Sequence, residues 1–138
     1  MKKYYLNPAT LPDWSNYFSQ VAVIEKNGIK TIYVAGQVGV DRHKNLVGNG
    51  ELRGQMKQTF SNLQTALESV DATMTNIVKM NIYVVNYQPS DAEAIGEVIR
   101  EHFRIGQLPA RSLIGVQALA EESFLVEVDA EAVVDIDE

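Results

Sequence analysis

Nine consecutive residues, Ile77 to Val85, carry apolar side chains on both sides of an extended segment, and this narrows the possible folds more than anything else in the chain. Side chains alternate along a strand, so Val78, Met80, Ile82 and Val84 take one face while Ile77, Lys79, Asn81, Tyr83 and Val85 take the other. The runs Gln20 to Lys26 and Ile29 to Gln37 are also rich in Val, Ile and Tyr. A sheet of such strands needs cover on both faces, and only two segments have helical spacing. From Glu51 to Val70 the apolar positions Leu52, Met56, Phe60, Leu63, Leu67 and Val70 step by 4, 4, 3, 4 and 3, one face of a helix. A second helix reads from Ser90, where Ser90-Asp91-Ala92-Glu93 matches a capping box, through Ile95, Val98, Ile99 and Phe103 to near Gly106. Two helices shield one face. The other calls for a second subunit.

The remaining elements follow from turn chemistry. Asn27-Gly28 joins its flanking runs as a β-hairpin, because both residues tolerate positive φ. Residues 39–50, with Asp41, Asn45, Gly48, Asn49 and Gly50, form a loop or short strand. After Leu108-Pro109-Ala110-Arg111 comes a short strand, Ser112 to Val116, then an alternating one, Ser123 to Val134. Pro8 and Pro12 mark residues 1–16 as an irregular arm, anchored by Trp14, and residues 134–138 form a loose acidic tail. The order β-β-(β)-α-β-α-β-β is an α+β layer arrangement, and 138 residues make one domain.

The composition excludes several chemistries. The chain has no cysteine, which removes disulfides, thiolate nucleophiles and iron–sulfur clusters. His43 and His102 belong to no metal-ligand spacing, so no metal is expected. With 12 basic against 18 acidic residues the net charge is −6, and no basic run exceeds Lys2-Lys3, which argues against nucleic acid. No apolar run approaches the roughly 18 residues of a membrane span, and Asn7-Pro8 arrives before any secretory apolar stretch, so a cytoplasmic protein is expected. Nucleotide loops, nucleophile elbows and Ser-His-Asp sets are all absent. What stands out is Arg111, opening a strand of apolar neighbours. It reads either as a rim arginine paired with a local carboxylate or as a fork for a ligand carboxylate.

The run Pro109-Ala110-Arg111-Ser112, followed by Leu119 and by Val126-Glu127-Val128-Asp129-Ala130, resembles the C-terminal signature of the Rid family, the YjgF-like reactive-intermediate deaminases. Tyr17, Ala35-Gly36-Gln37-Val38, Asn76-Ile77-Val78-Lys79 and Tyr83-Val84 extend the likeness over nearly the whole chain. The resemblance implies a chorismate-mutase-like fold, with a mixed sheet covered on one face by two helices, and a homotrimer with three clefts between subunits. It also implies cofactor-free hydrolysis of 2-imino acids to 2-keto acids and ammonia. Arg111 would hold the substrate carboxylate, Glu127 would lie beside the water, and Tyr17, Ala35, Gly36 and Leu113 would line the cleft.

Two positions depart from the deaminase branch of that family: Ala35 stands where a serine is usual, and Leu113 where a cysteine is frequent. Both make the cleft more apolar, although Leu113 still offers a backbone N–H. They leave room for a ring-cleavage aminohydrolase such as a 2-aminomuconate deaminase, or for a regulatory trimer that binds a small carboxylate without turnover. A ribonuclease is least compatible with the negative charge. Plainer roles stand beside the catalytic ones: Tyr17 pinning the arm, Glu127 in water beside Asp129 and Glu131, Asn81 and Gln37 satisfying buried backbone, and His43 in a solvated loop.

Overall fold

The computed structural model describes residues 1–48 and 50–136. Asn49, expected in a turn, and Asp137 and Glu138, the end of the expected tail, lie outside the described residues. Six strands, β1 (Lys2–Leu6), β2 (Val21–Lys26), β3 (Ile29–Val38), β4 (Ile77–Val85), β5 (Ala110–Val116) and β6 (Val126–Asp135), form one sheet in the order β1-β2-β3-β6-β4-β5. All neighbours are antiparallel except β4 and β5, which are parallel. A parallel pair needs a long crossover, and helix α2 (Ala92–His102) supplies it. Helix α1 (Leu52–Glu68) lies across β3 and β6.

Both helices cover the same face. Phe60, Leu63 and Leu67 of α1 and Ile95 and Val98 of α2 bury themselves against Val23, Ile32, Ile82 and Val128. On the opposite face Tyr33, Ile114 and Val133 remain exposed. Among the described residues no helix is long and apolar enough to cross a membrane.

The expected hairpin forms, with Asn27 and Gly28 at φ of 53° and 76°. Other expectations need correction. The first residues of the arm are not irregular: Lys2–Leu6 pairs with β2, and the Tyr4 hydroxyl donates to the Glu25 carboxylate. An available edge of β2 orders a segment that has no period of its own. The tail begins inside β6, and the Ile136 N–H donates to the Gly28 carbonyl. Strand β6 starts at Val126 rather than Ser123, because Gln55 of α1 claims the preceding backbone: its amide donates to the Ser123 carbonyl and accepts from the Leu125 N–H.

The helix ends also shift. Before α2, residues Pro89–Asp91 make a 3-10 turn in which Asp91 accepts from the Gln88 N–H, so the cap lies upstream of the expected Ser90 box. The helix stops at His102, because Phe103 turns extended. Helix α1 ends at Glu68, short of Val70, with Asp71 left-handed at φ 60°. In β4 a bulge between Ile77 and Lys79 turns Val78 outward to 49% exposure, although alternation alone sets it beside Met80.

Candidate active site

Strand β3 is irregular where the site begins. Val34 pairs with Ala130 and Gln37 with Val128, so three steps on β3 match two on β6 and one residue bulges within Ala35-Gly36. Gln37, buried on the helix side, donates to the Ala35 carbonyl at 3.0 Å and to Gln20 Oε1 at 2.7 Å. The Gln20 amide in turn donates to the Pro12 carbonyl. These two buried amides clamp the N-terminal arm to the bulge.

The bulge aims Gly36 at Glu127. A Cβ on Gly36 would collide with the end of the Glu127 side chain, so glycine at this point lets the carboxylate lie where it does. Glu127 is half-buried and accepts no hydrogen bond from a described residue. Its neighbour Asp129 is already engaged, accepting from Asn81 Nδ2 at 3.0 Å and from the Tyr83 hydroxyl at 3.2 Å. Burial, and then the charge of Asp129, push the Glu127 carboxyl above the usual carboxylate range.

Glu127 forms one wall of a pocket of about 470 Å³ on the open face of the sheet, with Trp14, Tyr17, Phe18, Gly36 and Phe124 around it. Tyr17 is 83% exposed and therefore does not pin the arm; that work falls to the glutamine clamp. Ala35 adjoins Gly36 without lining the pocket.

Arg111 lies elsewhere. Residues paired across neighbouring strands share a face, and Arg111 pairs with Met80 and Leu113 with Ile82, so both side chains point to the helix side. Leu113 packs half-buried against the core. Arg111 opens into a second crevice, of about 310 Å³, between β5 and α2. It makes no ion pair with a described carboxylate of its own chain, so the partner a rim arginine would have is not seen here. One chain thus unites Tyr17, Gly36 and Glu127 and holds Arg111 apart from them.

Residues 9–134 match the family model described as Endoribonuclease L-PSP. The chain belongs to that family. A 2-iminobutanoate/2-iminopropanoate deaminase from Dermatophagoides farinae is 34% identical over 105 residues, 76% of this chain and 79% of its own. One from Rattus norvegicus is 31% identical over 116 residues, 84% of this chain and 79% of its own. The Rid-family protein YyfA from Yersinia pestis superposes with a TM-score of 0.81 at 26% identity, covering 96% of this chain and 100% of that one. The Rid resemblance read from Pro109-Ala110-Arg111-Ser112 is therefore borne out, and so is the fold class.

Within this L-PSP member the plainer roles divide. Gln37 does hold a backbone carbonyl, whereas Asn81 serves the Asp129 carboxylate. His43 is exposed, its N–H given to Asp41. Glu127 shares its strand face with Asp129 and Glu131, and what distinguishes it from them is the glycine opposite. The sequence reading missed Trp14, Phe18 and Phe124 as pocket walls; the only available signal was their aromatic character near an ordered arm. Among the described residues no three His, Cys, Asp or Glu gather as metal ligands.

The raised carboxyl of Glu127 has a thermodynamic signature. A folded-state pKa above the unfolded one favours folding where the group is protonated, below roughly pH 4.3, and loses that contribution as pH rises through the folded value. At neutral pH the ionised form opposes folding. Glu127→Gln therefore raises the melting temperature at pH 7, and the gain disappears as pH falls below 4; paired calorimetric scans at the two pH values check it. An equal gain at both pH values would contradict the raised carboxyl.

Proposed function

We propose that this chain is a hydrolytic deaminase of small carboxylate-bearing imines, taking 2-imino acids to 2-keto acids and ammonia. The observation that carries the reading is Glu127: a half-buried carboxylate with no hydrogen-bond or ion-pair partner among the described residues, set over Gly36 in an aromatic-walled pocket. The 2-iminobutanoate/2-iminopropanoate deaminases among its relatives support the same reaction class.

The chemistry asks little of the protein. A protonated imine is already electrophilic at carbon, and attack by water followed by loss of the amine gives the ketone: R–C(=NH2⁺)–COO⁻ + H2O → R–CO–COO⁻ + NH4⁺. Glu127 orients the water and takes its proton during attack, then returns a proton to nitrogen so that ammonia leaves. An elevated pKa suits both roles, since the carboxylate is a stronger base and a more available acid near neutrality than an exposed one. Arg111 holds the 2-carboxylate by a bidentate pair, fixing the imine carbon against the water. No step requires a metal or an organic cofactor.

Glu127 stands on the open face and Arg111 on the helix-covered face, so a site containing both takes them from two copies. The exposed Tyr33, Ile114 and Val133 gain cover in the same assembly, which we read as a closed homotrimer with three equivalent sites. The protein is incubated with 2-imino acids generated in situ by an amino-acid oxidase. Keto acid and ammonia then appear faster than by spontaneous hydrolysis. No acceleration with any 2-imino acid would overturn the activity.

A further inference from the structure

The crevice that holds Arg111 contains a second guanidinium. Arg100, on the last turn of α2, lines it together with Met80, Ile99, Leu108 and Arg111. Its Nη1 lies 3.0 Å from the point where a Cβ on Gly96 would stand. The side chain therefore folds back one helical turn, over a position without a side chain, toward the crevice.

The local carboxylates are committed elsewhere. Glu97, three residues before Arg100 and its natural helical partner, pairs instead with Arg53 of α1 at 2.8 Å, and Glu101 faces Lys57 at 4.0 Å. Neither Arg100 nor Arg111 makes an ion pair with a described residue, in a chain whose acidic residues outnumber its basic ones by 18 to 12. Two cations in one crevice repel each other until an anion joins them. A single carboxylate fills one guanidinium fork, so two forks on different elements suit an anion with two acidic ends. The crevice is otherwise lined by apolar side chains, among them Met80, Ile99 and Leu108, which suit the methylene part of a diacid.

We infer that Arg100 is a specificity-determining residue, binding the distal carboxylate of a dicarboxylic 2-imino acid whose 2-carboxylate is held by Arg111. This rests on the imine-deaminase reading for its turnover, though not for its binding. The preferred substrates are then diacids rather than simple alkyl imino acids.

The experiment compares 2-iminoglutarate with 2-iminobutanoate, each generated in situ by an oxidase, on the wild type and on Arg100→Gln and Arg100→Lys. Arg100 is exposed, and Gln and Lys are comparable helix formers, so the variants keep the fold. Wild type favours the diacid in kcat/KM by about tenfold or more, and Arg100→Gln erases that preference by about ten- to a hundredfold, chiefly through KM. Arg100→Lys retains part of it, as a charge without the fork. A wild type that prefers the monoacid overturns the inference, as does an Arg100→Gln effect equal on both substrates. Calorimetry with the unreactive products, 2-oxoglutarate against 2-ketobutyrate, separates the two readings. If no imine is hydrolysed, the deaminase reading falls, while a diacid preference lost in Arg100→Gln still upholds Arg100; the absence of that preference removes it.

Discussion

Arg111→Ala lowers kcat/KM for 2-imino acids by roughly 10²- to 10⁴-fold and leaves thermal stability almost unchanged. The size follows from the bidentate pair it removes: two charge-assisted hydrogen bonds at about 1.5–3 kcal/mol each, or about 3–6 kcal/mol of transition-state binding. The small stability effect follows from the exposure of Arg111 and its lack of any ion pair with a described residue. Arg111→Lys recovers only a minor part of the rate, since an ammonium offers a point charge instead of a planar fork. Steady-state kinetics on oxidase-generated imines, with a thermal scan of each variant, provide the check. A variant with unaltered kcat/KM would remove Arg111 from the site and the proposed mechanism with it.

The second large effect is a recovery. Arg111→Ala and Glu127→Gln are each close to inactive alone, yet co-refolded in equal amounts they regain about a quarter of wild-type activity. In a closed ring each site takes Arg111 from one chain and Glu127 from its neighbour. With random mixing, half of the sites have an intact arginine and half an intact glutamate, so about one in four has both. Activity in the mixture no greater than the mean of the separate variants would place both groups in one chain, against the opposite faces they occupy here.

Much of the fold was legible because local chemistry and tertiary structure agree. Asn27-Gly28 sets the hairpin, and the stripe from Leu52 to Leu67 sets the buried side of α1. Where they disagree, the sequence pattern misleads. Lys2–Leu6 has no period of its own and becomes a strand through the edge of β2. Val78 obeys alternation on paper and escapes it through one bulge. The site was legible as a roster and not as an arrangement. Arg111 stands out by its apolar neighbours and Glu127, Tyr17 and Gly36 come from the family resemblance, but nothing in their order reveals that Arg111 faces away from the other three. That follows from register: Arg111 pairs with Met80, on the helix-covered face, whereas Glu127 pairs with Tyr83 on the open one. The partner of Glu127 was equally hidden, because its proximity to Gly36 depends on a bulge that no spacing announces.

Since one carboxylate oxygen sits where a methyl group at residue 36 would have to go, even alanine there makes the Glu127 side chain shift. A side chain at residue 36 therefore changes where the acid lies without replacing the acid itself, so the carboxylate's placement is set by a backbone position on a different strand.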